Sequence, residues 1–386
     1  MTAQTTDLLA LNREFQLILR LVNPDFDPSG ILPNDPAVDW PKLLNLSQLH
    51  SIRPLIYRAL EPSGWSTVPE DIQSYILQFT RRNTLRNTLL SLELVRIITE
   101  FGGQNICCAT FKGPVLSESL YGAISLREFV DVDIIVKPPD VGQATRLLID
   151  AGYRPVGSGE NPEYVSQSGQ LCFRQPGTGY GVDLHWKLAP FGLPAPFSED
   201  DIWAGLQELP VGSTRLPTFS WEHLALFLAF HGPKERWRSL KWICDFSALC
   251  RARPELDWSD LLRQTERRRC AITLLVAARL CEALGMVAPA HLLAESRTNP
   301  TVDRVVAQTL RKLPNPAPDS DLAVFRYELA VTEHLTDKLG LIFRLLTTIT
   351  ASDLRSIRLP RKLRGLYYLI RPFRLAGKAC SLLLKG

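Results

Sequence analysis

Nowhere does the sequence reach the roughly 18 consecutive apolar residues that a membrane-spanning helix needs. The start, MTAQTTDLLALNREFQ, has neither a basic opening nor a long apolar segment, so it does not read as a secretory signal, and a cytoplasmic protein is expected. The eight cysteines (107, 108, 172, 244, 250, 270, 281 and 380) form no CxxC and keep no paired spacing with histidines. Most lie in apolar runs, where cysteine acts as a small buried hydrophobe, which argues against a thiolate metal site and a disulfide framework. No internal repeat is present. The net charge, +4, is too mild for the chain as a whole to imply nucleic-acid binding.

What is present is apolar content of 45% over 386 residues, enough for two or three domains with sizeable cores. Residues 1–103 read as helical. Leu8 to Leu21 make one amphipathic helix, stopped at Pro24. Pro41 opens a second, carrying Leu43, Leu46 and Leu49 and, past Pro54, Leu55 and Leu60. A long third helix runs from Pro69 to near Phe101, with Ile72, Tyr75, Ile76, Phe79, Leu85, Leu89, Leu92, Val95 and Ile98 as its apolar stripe. Its Arg81, Arg82 and Arg86 fit a solvated face or a phosphate site.

Residues 104–217 alternate strand and turn signals, and the informative stretch is Phe111 to Lys137. Asp131 and Asp133 lie on an apolar strand, Val130 to Val136. Side chains on a strand alternate faces, so the two acids point one way and Val130, Val132, Ile134 and Val136 the other. Paired like charges are best tolerated with a cation between them, and an all-oxygen pair suits Mg²⁺; two solvated acids on an edge strand are the plainer alternative. Upstream, Asn105 to Phe111 reads as a strand and Lys112-Gly113-Pro114 as a turn. Val115 to Tyr121 reads as a short helix, with Gly122 as its stop. After the DxD strand a helix, Val141 to Ala151, precedes short strands near 153–156, 163–167, 171–174 and 181–186 in a meander. On the last, Asp183, His185 and Lys187 share a face opposite Val182, Leu184 and Trp186.

The order strand, glycine turn, short helix, DxD strand and then an apolar-acid-apolar strand resembles the nucleotidyltransferase superfamily. Gly113, Gly122, Arg127-Glu128 and Asp131-Val132-Asp133 are similar to a pattern in aminoglycoside nucleotidyltransferases and in a broad, poorly characterised bacterial nucleotidyltransferase family. Glycosyltransferases also carry a DxD after an apolar strand, but their fold does not require the glycine turn upstream or the acidic strand downstream. The resemblance covers roughly residues 105–190 and implies an α+β fold, a nucleotidyltransferase-type mixed β-sheet core with helices, flanked by N- and C-terminal helical regions. It also implies an NTP substrate, ATP first, and transfer of a nucleoside monophosphate to an acceptor hydroxyl with release of pyrophosphate.

On this resemblance two Mg²⁺, or Mn²⁺ in their place, are held by Asp131, Asp133 and Asp183, the third acid also serving as proton acceptor. Lys112 and Gly113 stand at the phosphates, and Arg127 is a phosphate contact or a structural ion-pair partner. His185 is either a group beside the metal ligands and acceptor or a surface histidine, and Lys187 either meets phosphate or is an exposed lysine. The family has Gly-Ser or Gly-Gly where this chain has Gly113-Pro114, which removes one backbone N–H. That departure supports a second reading, a nucleotide-binding regulatory or antitoxin-like protein without turnover.

Residues 218–350 read as helical, with helices at Ser220 to Phe230, Asp260 to Leu284, Val302 to Leu313 and Asp321 to Ile349. The bacterial family also carries, at this place, a His and then a Trp-x-x-Leu-Lys/Arg-Trp-x-x-Asp helix, here His231 and Trp237 to Asp245. Trp237, Lys241 and Asp245 are spaced to share a helix face. Lys241 and Asp245 then form a surface ion pair, or the helix closes over the cleft with Lys241 or Lys234 on nucleotide phosphate. The tail, 351–386, holds nine Lys or Arg against one Asp, a net +8, so the other 350 residues carry −4. Such a tail can contact an anionic membrane or a nucleic acid, or pack back on the body; Pro360 and Pro372 break a long amphipathic helix and favour packing.

Overall fold

The computed structural model describes residues 12–25, 38–65, 68–156, 169–188, 194–316, 319–347, 370, 371 and 374. The chain forms two compact units, residues 1–317 and 318–386.

In the first unit, α1 (Arg13–Val22) is capped by the Asn12 side chain and buries Phe15, Ile18 and Leu21. Asp39 caps α2 (Trp40–Leu49), and Pro54 falls in the first turn of a separate helix, α3 (Arg53–Leu60). The long helix α4 (Glu70–Gly103) forms and buries Ile72, Ile76 and Ile98 of the expected stripe, but over its middle the buried face is a different one. Leu85 and Leu92 are each 62% exposed, whereas Asn83 and Asn87 are buried. Their amides reach the backbone of the loop ahead of the DxD strand, donating to the carbonyls of Ser125, Ile124 and Arg127. Polar side chains thus turn inward because they supply donors that buried carbonyls require.

Among the described residues the sheet has seven strands: β1 (Cys108–Thr110), β2 (Asp131–Val136), β3 (Arg154–Pro155), β4 (Gln170–Arg174), β5 (Gly181–His185), β6 (Leu206–Val211) and β7 (Thr214–Phe219). Their spatial order is β3-β4-β5-β2-β1-β7-β6. The β2–β5 and β1–β7 pairs are parallel and the others antiparallel, a mixed sheet in an α+β fold. Helix α5 (Pro114–Tyr121) runs from Gly113 to a left-handed Gly122, and α6 (Val141–Asp150) follows β2. α4 lies against β1, β2 and β7. The expected strand near 163–167 lies outside the described residues. The short helix α7 (Glu199–Ala204) and the β6–β7 hairpin were not anticipated; the hairpin turns at Gly212, whose φ is +60°.

Helices α8 (Trp221–Lys234), α9 (Leu240–Ala252), α10 (Trp258–Arg267), α11 (Ala271–Ala283), α12 (Ala290–Ser296) and α13 (Pro300–Lys312) complete the unit. α11 buries ten of its residues and packs against α8, α9, α10, α12 and α13, as a helix apolar around most of its circumference must. The helix expected over Asp260 to Leu284 is two, parted where Arg269 takes a φ of +60°. The expected Asp321 to Ile349 helix is likewise two, α14 (Asp321–Val331) and α15 (Leu335–Thr347), in the second unit. There Arg371 is buried and donates to the carbonyl of Leu345; nearly all of the basic tail lies outside the described residues. Among the described residues no helix is long and apolar enough to cross a membrane.

One ion pair ties the sheet to the helical bundle. Arg127, in the loop before β2, donates from Nη2 to Asp245 Oδ2 of α9 at 2.9 Å, and from Nε to both carboxylate oxygens at 3.1 Å. Tyr121 donates to Asp245 Oδ1 at 2.8 Å. The two charged side chains are 3% and 0% exposed. Asp245→Asn leaves the guanidinium buried without a counter-charge, so urea unfolding should show a loss of about 3–5 kcal/mol. A loss below about 1 kcal/mol, the size of an exposed pair, would contradict this role.

Candidate active site

Parallel pairing of β2 with β5 sets Asp133 directly beside Asp183 and Asp131 beside Gly181. Because partners in register share a face, the three carboxylates project from one side of the sheet. Glycine at 181 leaves room for these groups: a Cβ there would stand 3.0 Å from Asp131 Cβ and 2.6 Å from the Arg174 guanidinium, which would have to shift. Gly113, at a φ of +53°, brings the turn ahead of α5 over β2, where its Cβ position is 3.7 Å from the Asp131 carbonyl oxygen.

Asp133 is the buried centre of the cluster. Its Oδ1 accepts from Lys112 Nζ at 2.8 Å and meets His185 Nε2 at 3.0 Å. Burial opposes its ionisation, but the Lys112 ammonium and the His185 hydrogen bond outweigh that and hold it well below the usual carboxylate range. His185 is itself buried, with the Phe111 ring 5.3 Å away, and burial lowers its pKa despite the neighbouring carboxylate. It is not a surface histidine. Asp131 is pushed up to about 6 by burial and then by the charges of Asp133 and Asp183, with Lys112 and Arg174 opposing. Donor atoms of Asp133, Asp183 and His185 all lie within 4.8 Å of one another, a set that could hold a cation.

These groups open into a cavity of about 400 Å³. Asp131, Asp133, Asp183, Lys112, Gly113, Arg127, His185 and Lys241 all line it. Lys187 does not; it is exposed beyond the end of β5. Arg127 lines the wall while its guanidinium is engaged by Asp245. Sequence reasoning weighed Lys234 only as an alternative and gave no place in the cavity to His231, Trp242 or Glu128, which line it too.

The expected face of Trp237, Lys241 and Asp245 does not form. Trp237 precedes α9 with a φ of +49°, and its ring is fully buried on Gly232, where a Cβ would lie 2.2 Å away. Asp245 is buried on Arg127, so no surface Lys241–Asp245 pair exists. Lys241 instead points its Nζ to the Glu128 carbonyl at 3.4 Å and over the Trp242 ring at 4.4 Å. Burial, then repulsion from Arg127, brings its pKa down to about 8. Burial and then Lys112 likewise lower Lys234. Arg53 clamps Glu128 with Nη2 at 2.6 Å and Nε at 3.1 Å, so the loop between α5 and β2 is held from α3, α4 and α9.

The raised carboxyl of Asp131 has a consequence for metal-free protein. A carboxyl whose folded pKa is raised, here from 3.8 to about 6, stabilises the fold below the lower value, and that contribution is lost as pH rises through the higher one. Asp131→Asn should therefore raise the melting temperature in EDTA at about pH 8, and the gain should shrink as pH falls through about 6. Thermal melts across this range check it; a gain that is absent, or that grows toward acid, would contradict the crowding.

No curated protein matches the chain. The model of a family described as "Uncharacterised nucleotidyltransferase" matches residues 36–285, which hold every strand of the sheet and every residue lining the cavity. The chain belongs to this uncharacterised nucleotidyltransferase family.

Proposed function

We propose that the protein transfers a nucleoside monophosphate from an NTP, ATP first among candidates, to an acceptor hydroxyl with release of pyrophosphate. The observation that carries the reading is the pairing of Asp133 with Asp183 across two parallel strands, with Asp131 on the same face, at the floor of a cavity rimmed by Lys112, Lys234 and Lys241. Three ammonium groups drawn together, two of them with pKa values lowered, favour a polyanion of the size and charge of a triphosphate.

The donor set fits a hard divalent cation. Asp133, Asp183 and His185 bring donor atoms within 4.8 Å of one another, and Asp131 stands on the same face of the sheet as a further carboxylate. Such a cation, when bound, supplies positive charge against the phosphates and the developing pyrophosphate. Asp133 and Asp131 would hold it. Lys112, released from Asp133, would move to phosphate, joined there by Lys234 and Lys241 from the ends of α8 and α9. The acceptor oxygen forms a bond to the α-phosphorus, the bond from that phosphorus to the bridging oxygen breaks, and Asp183 takes the hydroxyl proton. His185, bonded to Asp133, keeps that carboxylate in place.

A second reading, nucleotide binding without turnover, draws on two observations. Pro114 offers no N–H at the phosphate turn, and Lys112 occupies Asp133 with a 2.8 Å ion pair. Both readings place the nucleotide in the same cavity; they part at chemistry.

Substitution distinguishes the roles of the acids. Asp133→Ala should abolish Mg²⁺-dependent NTP binding. Asp183→Asn keeps its size and should retain that binding within about tenfold, or ~1.4 kcal/mol. Its turnover should fall by a factor on the order of 10² or more, the value of a positioned base. Calorimetry with Mg²⁺ and each NTP, and pyrophosphate release in the presence of a cell extract as acceptor pool, measure both. Equal NTP affinity in wild type and Asp133→Ala would contradict the site, and wild-type turnover in Asp183→Asn would remove it as the base. Binding without pyrophosphate release from wild type would favour the second reading.

A further inference from the structure

A second cavity, of about 240 Å³, lies among α1, α3, α5 and α9 and shares no lining residue with the first. Val22, Leu55, Leu120 and Met286 give it apolar walls. Into this lining α3 brings Arg58, whose guanidinium makes one hydrogen bond among the described residues, from Nη2 to the Val22 carbonyl at 3.3 Å. No carboxylate among the described residues pairs with it. The other arginine at the cavity, Arg251, is already engaged by Asp25 at 2.9 Å.

Arg58 is half-buried, and a guanidinium held against apolar walls with no counter-charge among the described residues has lost part of its hydration without an ionic partner in return. Burial lowers the Arg58 pKa; Tyr121 and Cys244 oppose that, and Arg251 adds a smaller repulsion. An anion relieves that cost, and a carboxylate matches the planar fork with two parallel hydrogen bonds. Apolar walls, in turn, are better covered by hydrocarbon than by water. Inorganic phosphate would satisfy the arginine and leave the walls uncovered. A nucleotide would bring several charges where one guanidinium lacks a carboxylate partner among the described residues.

We propose that this cavity binds a carboxylate with a short hydrocarbon body, its head on Arg58 and its chain along Val22, Leu55, Leu120 and Met286. This ligand is separate from the nucleotide, and the proposal does not rest on the transferase reading.

Titration of the full chain with sodium octanoate, with 1-octanol as the uncharged match, tests it by calorimetry. Wild type should bind octanoate at one saturable site, at least about tenfold more tightly than octanol. Arg58→Gln should lose that preference. Ala248→Leu, which narrows the cavity from α9 without touching Arg58, should weaken both probes and stands as the test should Arg58→Gln not fold. Absence of saturable octanoate binding to wild type overturns the proposal. So does octanoate affinity unchanged in Ala248→Leu, or in a folded Arg58→Gln.

Discussion

The buried pair between Arg127 and Asp245 is the constraint on which the site depends. Its partners are 118 residues apart, one in the loop that delivers the DxD strand and the other in the helical bundle. With both side chains nearly inaccessible, neither charge has water to fall back on, so sheet and bundle must meet in one geometry. The same loop is fixed on its other side by Asn83 and Asn87 of the long helix and by Arg53 on Glu128. The polar groups of this loop thus find partners on α3, α4, α5 and α9, and β2 emerges with its acids aimed at a cavity that the ends of α8 and α9 help to wall.

That cavity holds opposite charges in an unequal balance. Lys112 and His185 both engage Asp133, which leaves Asp131 to carry the repulsion of its neighbours. Lys234 and Lys241 carry the complementary strain on the basic side, their pKa values lowered by burial and by nearby cations. Bringing in a divalent cation together with a polyphosphate relieves both, the cation among the carboxylates and the anion among the ammonium groups. Neither ligand alone does so. On the proposed reading, this joint requirement is the physical reason that a metal-bound nucleotide, rather than a free one, would suit the site.

Much of the core was legible in the sequence because it depends on short-range rules. Alternation put Asp131 and Asp133 on one face, Gly113 and Gly122 bracketed α5, and the apolar-acid-apolar run at Asp183 marked β5. The register that places Asp183 beside Asp133 is a long-range pairing, reached only through the family resemblance. Other features hid for identifiable reasons. The long helix buries Asn83 and Asn87 because carbonyls in a distant loop need donors, and leaves Leu85 and Leu92 outside, so an apolar stripe misjudged its face. Asp245 looked like half of an i,i+4 surface pair, whereas its partner comes from another region. Arg269 interrupts an otherwise helical run without Gly or Pro to signal it. The β6–β7 hairpin carried only a Gly-Ser turn between short, unremarkable strands.

The proposed chemistry requires a metal-bound nucleotide to sit in the cavity at Asp133. A crystal structure of the protein with Mg²⁺ and the non-cleavable α,β-methylene analogue of ATP would test this most directly. Density for a cation against Asp133, with the triphosphate along Lys112, Lys234 and Lys241, is the predicted result. An analogue bound elsewhere, with Lys112 still paired to Asp133, would contradict the account.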